Sequence, residues 1–173
     1  SKDIVDFGSA VHLQVQRQLR QIGALVGAEV SIYDKEHNFS GTVDAIVRGE
    51  QGMEILEIKT QGEKSWGQTP DKYIDQLTFY MATTGIHRGK IAFINRNDPQ
   101  EIRIENIEFD PYRWENIINR AERARATMRD LQDKGLVSPF ETYDLVSRIE
   151  ILGKVAPNSA EFRDHVEHAL QGG

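Results

Sequence analysis

The stretch Gly41-Thr42-Val43-Asp44-Ala45-Ile46-Val47-Arg48, Gly49-Glu50-Gln51-Gly52, Met53-Glu54-Ile55-Leu56-Glu57-Ile58-Lys59-Thr60 reads as two Val- and Ile-rich strands around a Gly-flanked turn. With the turn centred between Glu50 and Gln51, facing residues have numbers that add to 101. In that register Val43 faces Ile58 and Ala45 faces Leu56 on one side. Ile46 faces Ile55, Asp44 faces Glu57 and Thr42 faces Lys59 on the other. Apolar matches apolar on both sides, which is the condition that sets strand register. Two carboxylates are thereby expected directly across from each other, about 4.5–5.5 Å apart at Cβ, with an ammonium two residues along.

Asp and Glu ordinarily titrate near pH 4, so both would be ionised at neutral pH and would repel each other unless a cation held them. All-oxygen ligation suits Mg2+ or Mn2+. Lys59 beside such an ion is placed to orient or deprotonate a water, or to stabilise negative charge on a phosphorane-like transition state. Opposed Asp, Glu and Lys also occur on solvated sheet faces, where an ion pair contributes little. Against that reading, Ile46 and Ile55 continue the same face, so the acidic pair stands at the end of a buried surface, where like charges are costly.

Working outward, apolar residues at Val11, Val15, Leu19, Ile22 and Val26 predict a helix from Gly8 to about Val26, stopped by Gly27. Strands are expected at 28–34, 41–48 and 53–60. A helix over 70–84 follows, with Thr69 as N-cap, Pro70 at its first position and Gly85 as its stop. Residues 90–95 read as a buried strand. Residues 101–109 alternate Glu101, Arg103 and Glu105 with Ile102 and Ile104, a half-exposed strand. Asp110-Pro111 opens a long helix with Trp114, Ile117, Ile118, Ala121, Met128 and Leu131 inward. Two further helices are expected, capped by Ser138-Pro139 and by Asn158. The order predicts an α/β fold: a mixed central β-sheet flanked by helices, with residues 1–134 as the core and 135–173 as a C-terminal helical extension of the same domain.

Composition narrows the chemistry. The chain has 173 residues, 39% of them hydrophobic, enough for one domain with a real core. It has no cysteine, which excludes disulfides, thiolate metal sites and a cysteine nucleophile. No apolar run approaches the roughly 18–20 residues of a membrane span, and Ser1 to Gly8 lacks a signal-peptide pattern, so we expect an intracellular protein without membrane contact. The net charge of −6 means that a polyanion would need a local basic rim or bridging cations.

Gly41-Thr42-Val43-Asp44, then twelve residues, then Glu57-Ile58-Lys59-Thr60 resembles the PD-(D/E)XK nuclease superfamily, without the proline of its motif. The likeness extends to the RecB-like exonuclease branch. Gly8-Ser9-Ala10-Val11-His12 is similar to its G-x-x-x-H, and Gln76-Leu77-Thr78-Phe79-Tyr80 to its Q-x-x-x-Y. The resemblance covers about residues 7–95 and implies a restriction-endonuclease-like core and an Mg2+- or Mn2+-dependent deoxyribonuclease, an exonuclease acting on DNA ends or single strands. An endonuclease or nickase with the same centre, or a non-catalytic nucleic-acid-binding module on the same fold, stays open. It also implies Asp44 and Glu57 as metal ligands, with the Ile58 carbonyl and His12 beside them, and Lys59 as the catalytic lysine. Gln76 and Tyr80 would line the substrate side. A helicase or recombination protein as partner and a setting in DNA repair or recombination are implied as well. The four-cysteine iron–sulfur clasp of several RecB-like nucleases is excluded, and no phosphate-binding G-x-x-x-x-G-K-[ST] loop is present.

Candidate nucleic-acid contacts lie in Gln61 to Gln68, where Lys64 and Trp66 stand between glycines. An exposed indole there would stack a base, worth about 1–3 kcal/mol, while a folded-back one would belong to the core. Arg113, Arg120, Arg123 and Lys134 share one flank of the long helix, but interspersed acids make it an ordinary solvated face. His87, Arg88 and Lys90 form a shorter basic cluster. His165 and His168 have metal-compatible spacing without a third ligand. Glu29 reads as a strand-end charge outside the catalytic set.

Overall fold

The computed structural model describes residues 2–136. Its elements are α1 (Lys2–Gln21), β1 (Leu25–Asp34), β2 (Phe39–Gly49), β3 (Gly52–Gln61), α2 (Asp71–Thr84), β4 (Arg88–Asn95), β5 (Ile102–Glu108) and α3 (Pro111–Asp133). The strands form one sheet in the order β1-β2-β3-β4-β5. All neighbours are antiparallel except β3 and β4, which are parallel and joined through α2. The expected mixed α/β architecture is present. The helices expected after Ser138 and Asn158, and His165 and His168, lie outside the described residues.

By its contacts the chain forms two compact units. One holds the sheet, α1 and Leu77–Thr84 of α2; the other holds Asp71–Gln76 and α3. In the first unit, Val11 of α1 joins Ala45, Val47, Leu56, Ile58, Ala92 and Ile94 in a buried cluster, with Val15 and Leu19 packed against it. Leu77 and Met81 of α2 are fully buried and close over Gly89 of β4. In the second unit α3 buries Ala121, Ala124, Met128 and Leu131, and Asp75 pairs with Arg113 and Arg120 at 2.7 and 2.8 Å. Lys134 pairs with Asp130 at 2.8 Å. Three of the four basic residues of that flank of α3 are thus paired, and Arg123 is exposed.

Several boundaries differ from expectation for identifiable reasons. Helix α1 stops at Gln21, because Gly23 takes the left-handed conformation (φ +74°) that ends helices, so Ile22 is left 76% exposed and Val26 falls in β1. Helix α2 begins at Asp71 with Pro70 as its cap residue and no side-chain cap; the Thr69 hydroxyl instead accepts a bond from Arg103 at 3.0 Å. Gly85 does end α2, in a left-handed cap whose N–H reaches the Met81 carbonyl. In β5 the alternation is inverted: Ile102 and Ile104 are the exposed residues, at 54% and 48%, whereas Arg103 is covered. Its side chain, 21% exposed, pairs with Glu105 at 2.6 Å, and the guanidinium lies 4.1 Å from the Phe93 ring centroid in cation–π contact.

Two glycines of the motif behave differently. A Cβ on Gly41 would meet the Tyr80 ring at 2.8 Å, and Tyr80 is 1% exposed and cannot yield. A Cβ on Gly8 would meet only the Thr60 hydroxyl at 3.8 Å, which is ordinary contact. We therefore expect Gly41→Ala to destabilise the chain by about 1–3 kcal/mol. Gly8→Ala should be neutral or stabilising by up to about 1 kcal/mol, since it improves helix propensity. Urea unfolding of the two variants beside the parent measures both.

Candidate functional site

The site forms where the sheet loses its regular ladder. The pairs Ala45 with Leu56, Ile46 with Ile55, Val47 with Glu54, Arg48 with Met53 and Gly49 with Gly52 keep the expected register. The β2–β3 ladder ends at Ala45 and Leu56. Beyond it side chains replace backbone partners: the Ile58 N–H donates to Asp44 Oδ2 at 2.8 Å, and the Asp44 N–H donates to Glu57 Oε1 at 3.0 Å. The pairs expected at Val43 and Ile58, Asp44 and Glu57, and Thr42 and Lys59 are thus not ladder pairs. Two acids that the register points at one another have spread the strands apart, each accepting a bond from the other strand.

On its other side β1 is irregular at the same level. It pairs Ala28 with Ala45 and Val30 with Val43, and between them Glu29 has φ +49°, a conformation that costs a non-glycine residue about 1–3 kcal/mol. Gln16, 5% exposed, reaches in from α1 and donates through Nε2 to the Asp44 carbonyl at 3.0 Å and to Glu29 Oε1 at 2.8 Å. Side chains therefore satisfy both the N–H and the carbonyl of Asp44.

His12 stands one helical turn before Gln16. Its Nε2 lies 2.6 Å from the Ile58 carbonyl and 3.6 Å from Asp44 Oδ2. Because a carbonyl only accepts, Nε2 carries the proton in this arrangement. Lys59 Nζ is 3.8 Å from Glu57 Oε2. Asp44 and Glu57 are 9% and 2% exposed. Burial, with the Asp44 charge second, pushes the Glu57 carboxyl from its ordinary 4.5 up to about 8, against a lowering by Lys59.

His12, Asp44, Glu57, the Ile58 carbonyl and Lys59 are thus drawn together by α1, β2 and β3. Among the described residues no three His, Asp or Glu side chains make a ready cage. The donor set is instead two carboxylates and one backbone carbonyl, with the His12 imidazole a ligand only in the tautomer that leaves Nε2 unprotonated. Hard oxygen donors around a buried acidic pair fit Mg2+ or Mn2+, whose charge would offset the repulsion and desolvation that hold Glu57 protonated.

The other candidates are placed as follows. Tyr80 is buried beneath Gly41, and its hydroxyl donates to the Thr42 carbonyl at 3.0 Å, tying α2 to β2 two residues before Asp44. Gln76 is half-buried, one turn before Tyr80 on α2. Lys64 is exposed and Trp66 half-buried in the loop after β3. Arg103 anchors that loop, bonding the Gln68 carbonyl at 2.6 Å and Gln61 Oε1 at 3.3 Å, with its guanidinium 5.8 Å from the Trp66 ring. In the shorter basic cluster, His87 stacks on Phe109 and Lys90 pairs with Glu54 at 2.9 Å.

Gln16, Glu29 and Arg103 escape a motif reading. For Gln16 a signal exists: it follows His12 by four residues and interrupts the apolar stripe between Val15 and Leu19. The backbone of Glu29 leaves no mark in the sequence, since glycine is the residue that would announce a positive φ.

No family model matches the chain, and no curated protein matches it. Solved structures similar to the chain include SSO0001 and two of LHK-Exo. SSO0001 is 22% identical over 60% of this chain and 50% of its own, with a TM-score of 0.48. LHK-Exo in complex with dAMP is 17% identical over 96% of this chain and 71% of its own, also with a TM-score of 0.48. The alkaline exonuclease LHK-Exo from Laribacter hongkongensis, in a further structure, is 15% identical over 98% and 70%, with a TM-score of 0.43. The chain spans half the length of SSO0001.

The raised Glu57 value has a sign. Unfolded, the carboxyl ionises near 4.5; folded and ion-free it keeps its proton to about 8. Its contribution to stability is fully present below pH 4.5 and is lost as pH rises through about 8. In EDTA, the thermal midpoint of the parent minus that of Glu57→Gln should therefore fall as pH is raised from 5 to 8. Mn2+ at pH 8 should raise the midpoint of the parent more than that of the variant. Differential scanning fluorimetry reads both effects.

Proposed function

We propose that this chain is a divalent-metal-dependent deoxyribonuclease that hydrolyses DNA phosphodiester bonds and acts on DNA ends. The observation that carries the reading is the convergence of His12, Asp44, Glu57, the Ile58 carbonyl and Lys59 at one break in the sheet. Two buried acids 13 residues apart in sequence share that break, held by reciprocal bonds to backbone N–H groups. Burying them costs stability, and structure alone gives no return for it.

A bound Mg2+ or Mn2+ supplies Lewis-acid polarisation of a phosphoryl oxygen and a lowered pKa for water. The chain's own residues do the rest. Asp44 and Glu57 hold the cation side of the centre with their remaining oxygen lone pairs, and the Ile58 carbonyl and His12 Nε2 border the same space. Lys59, 3.8 Å from Glu57, directs the water at phosphorus and stabilises the charge that gathers on the phosphoryl oxygens as the water attacks and the bond to the leaving oxygen breaks. The RecB-like likeness of Gly8 to His12 and Gln76 to Tyr80 favours ends over internal bonds. Lys64 and Trp66 are the residues of the following loop that would meet the strand, by charge and by stacking.

DNA repair or recombination, an intracellular setting and a helicase or recombination protein as partner belong to the same reading. This sequence holds no G-x-x-x-x-G-K-[ST] loop, and the proposed helicase partner would supply the opening of duplex DNA.

Cleavage is expected on linear DNA with Mg2+ or Mn2+ and to stop in EDTA. Asp44→Asn should reduce kcat to background while preserving the fold, since the side chain keeps an acceptor for the Ile58 N–H. Lys59→Ala should lower kcat by about 10²–10³-fold. A panel of linear and covalently closed DNA, single- and double-stranded, tests the assignment. Equal activity on closed circles would make the enzyme an endonuclease. Chelator-insensitive DNA binding without turnover in Mn2+ would make it a binding module.

A further inference from the structure

Two arginines border the loop that follows β3, and they differ in what remains available on each. Arg103 is committed inside the protein, to Gln61, Gln68, Thr69 and Glu105. Arg96, the first residue past β4, gives its backbone N–H to the Gln61 carbonyl at 2.9 Å. Its side chain lies over Gly62, where a Cβ would fall 2.6 Å from Arg96 Nη2. Residue 62 can be occupied this way only because it carries no side chain. Among the described residues the Arg96 guanidinium has no hydrogen-bonded or ion-paired partner, and it is half-buried.

Its place in the fold matters. Strands β3 and β4 are parallel and in register to Gln61 and Asn95, so Gly62 and Arg96 stand side by side just beyond their carboxyl ends. That is the end of a parallel strand pair where ligands bind in open α/β sheets. It is also three residues past Lys59, roughly 10 Å along the strand at about 3.3 Å per residue. A planar fork of donors, lying over a bare backbone, matches the paired oxygens of a phosphodiester.

We propose that Arg96 is a substrate-binding residue that holds a backbone phosphate of the DNA strand a short way along from the bond being cut. This rests on the nuclease reading and adds to it the contact that sets how the strand runs from the centre, over Gly62 and past the Lys64–Trp66 loop. It also shows how a chain of charge −6 offers a local cation to a polyanion.

The test is binding of a fluorescein-labelled oligonucleotide, single-stranded or duplex, followed by anisotropy across a salt series at fixed Ca2+, with thermal midpoints measured in parallel. Arg96→Gln should weaken binding several-fold at low salt and reduce the slope of log K against log salt by about 0.7–0.9, the release of one phosphate's counterion. Its midpoint should match the parent's, and Arg96→Lys should keep the slope. The proposal is overturned if Arg96→Gln binds with the parent's affinity and slope, or if affinity falls together with the midpoint while the slope stays. A parent chain that binds neither oligonucleotide removes the nuclease reading and this contact with it. A parent that binds and cuts beside an indistinguishable Arg96→Gln removes the contact alone.

Discussion

The peptide of Asp44 depends on side chains for both of its hydrogen bonds, and the site depends on that peptide. A central strand ordinarily gives its N–H and carbonyl groups to its neighbours, and a buried one left without partners costs about 1–3 kcal/mol. Here Glu57 takes the N–H and Gln16 serves the carbonyl. β2 can therefore leave the ladder without a penalty in unpaired groups, and the opening that results admits His12 to the Ile58 carbonyl. The same contacts couple α1, β2 and β3, so the packing of Val11, Val15 and Leu19 against the sheet also sets the position of the imidazole.

Electrostatics gives the site its character. Glu57 is nearly inaccessible and adjoins Asp44, so the ion-free fold favours a proton on it well above the ordinary carboxylate range. Lys59 lowers that preference without cancelling it. In the proposed metal-dependent reading, a group poised in this way would exchange a proton for a cation near neutral pH, coupling metal binding to pH and to stability. The strained backbone at Glu29 lies next to the same peptide, with its carboxylate held by Gln16. Local cost thus gathers around Asp44.

Several basic residues elsewhere among the described residues are paired with acids. Arg113 and Arg120 close on Asp75, Lys134 on Asp130 and Lys90 on Glu54. Arg103 is enclosed by the loop it anchors. These pairings turn several basic residues that look available in the sequence into internal contacts, whereas at the end of β3 and β4 Lys64 is exposed and Arg96 is unpaired among the described residues.

Local pattern alone determined the element order, the mixed sheet and the hairpin register from Gly49 and Gly52 to Ala45 and Leu56, because period-two alternation and a two-residue turn are nearest-neighbour constraints. It also put Asp44 and Glu57 across from each other, with Lys59 two residues along the same face. The end of the ladder at Ala45, the bonds that replace it, the arrival of Gln16 and the backbone of Glu29 were decided only in three dimensions, since each joins segments 13 or more residues apart through groups that carry no periodic signal. The inversion of β5 has the same origin: Arg103 reads as a solvent-facing charge until Phe93 and the loop before α2 close around it. Sequence sets which residues can meet, while tertiary packing sets which polar atoms go without backbone partners, and therefore which side chains must supply them.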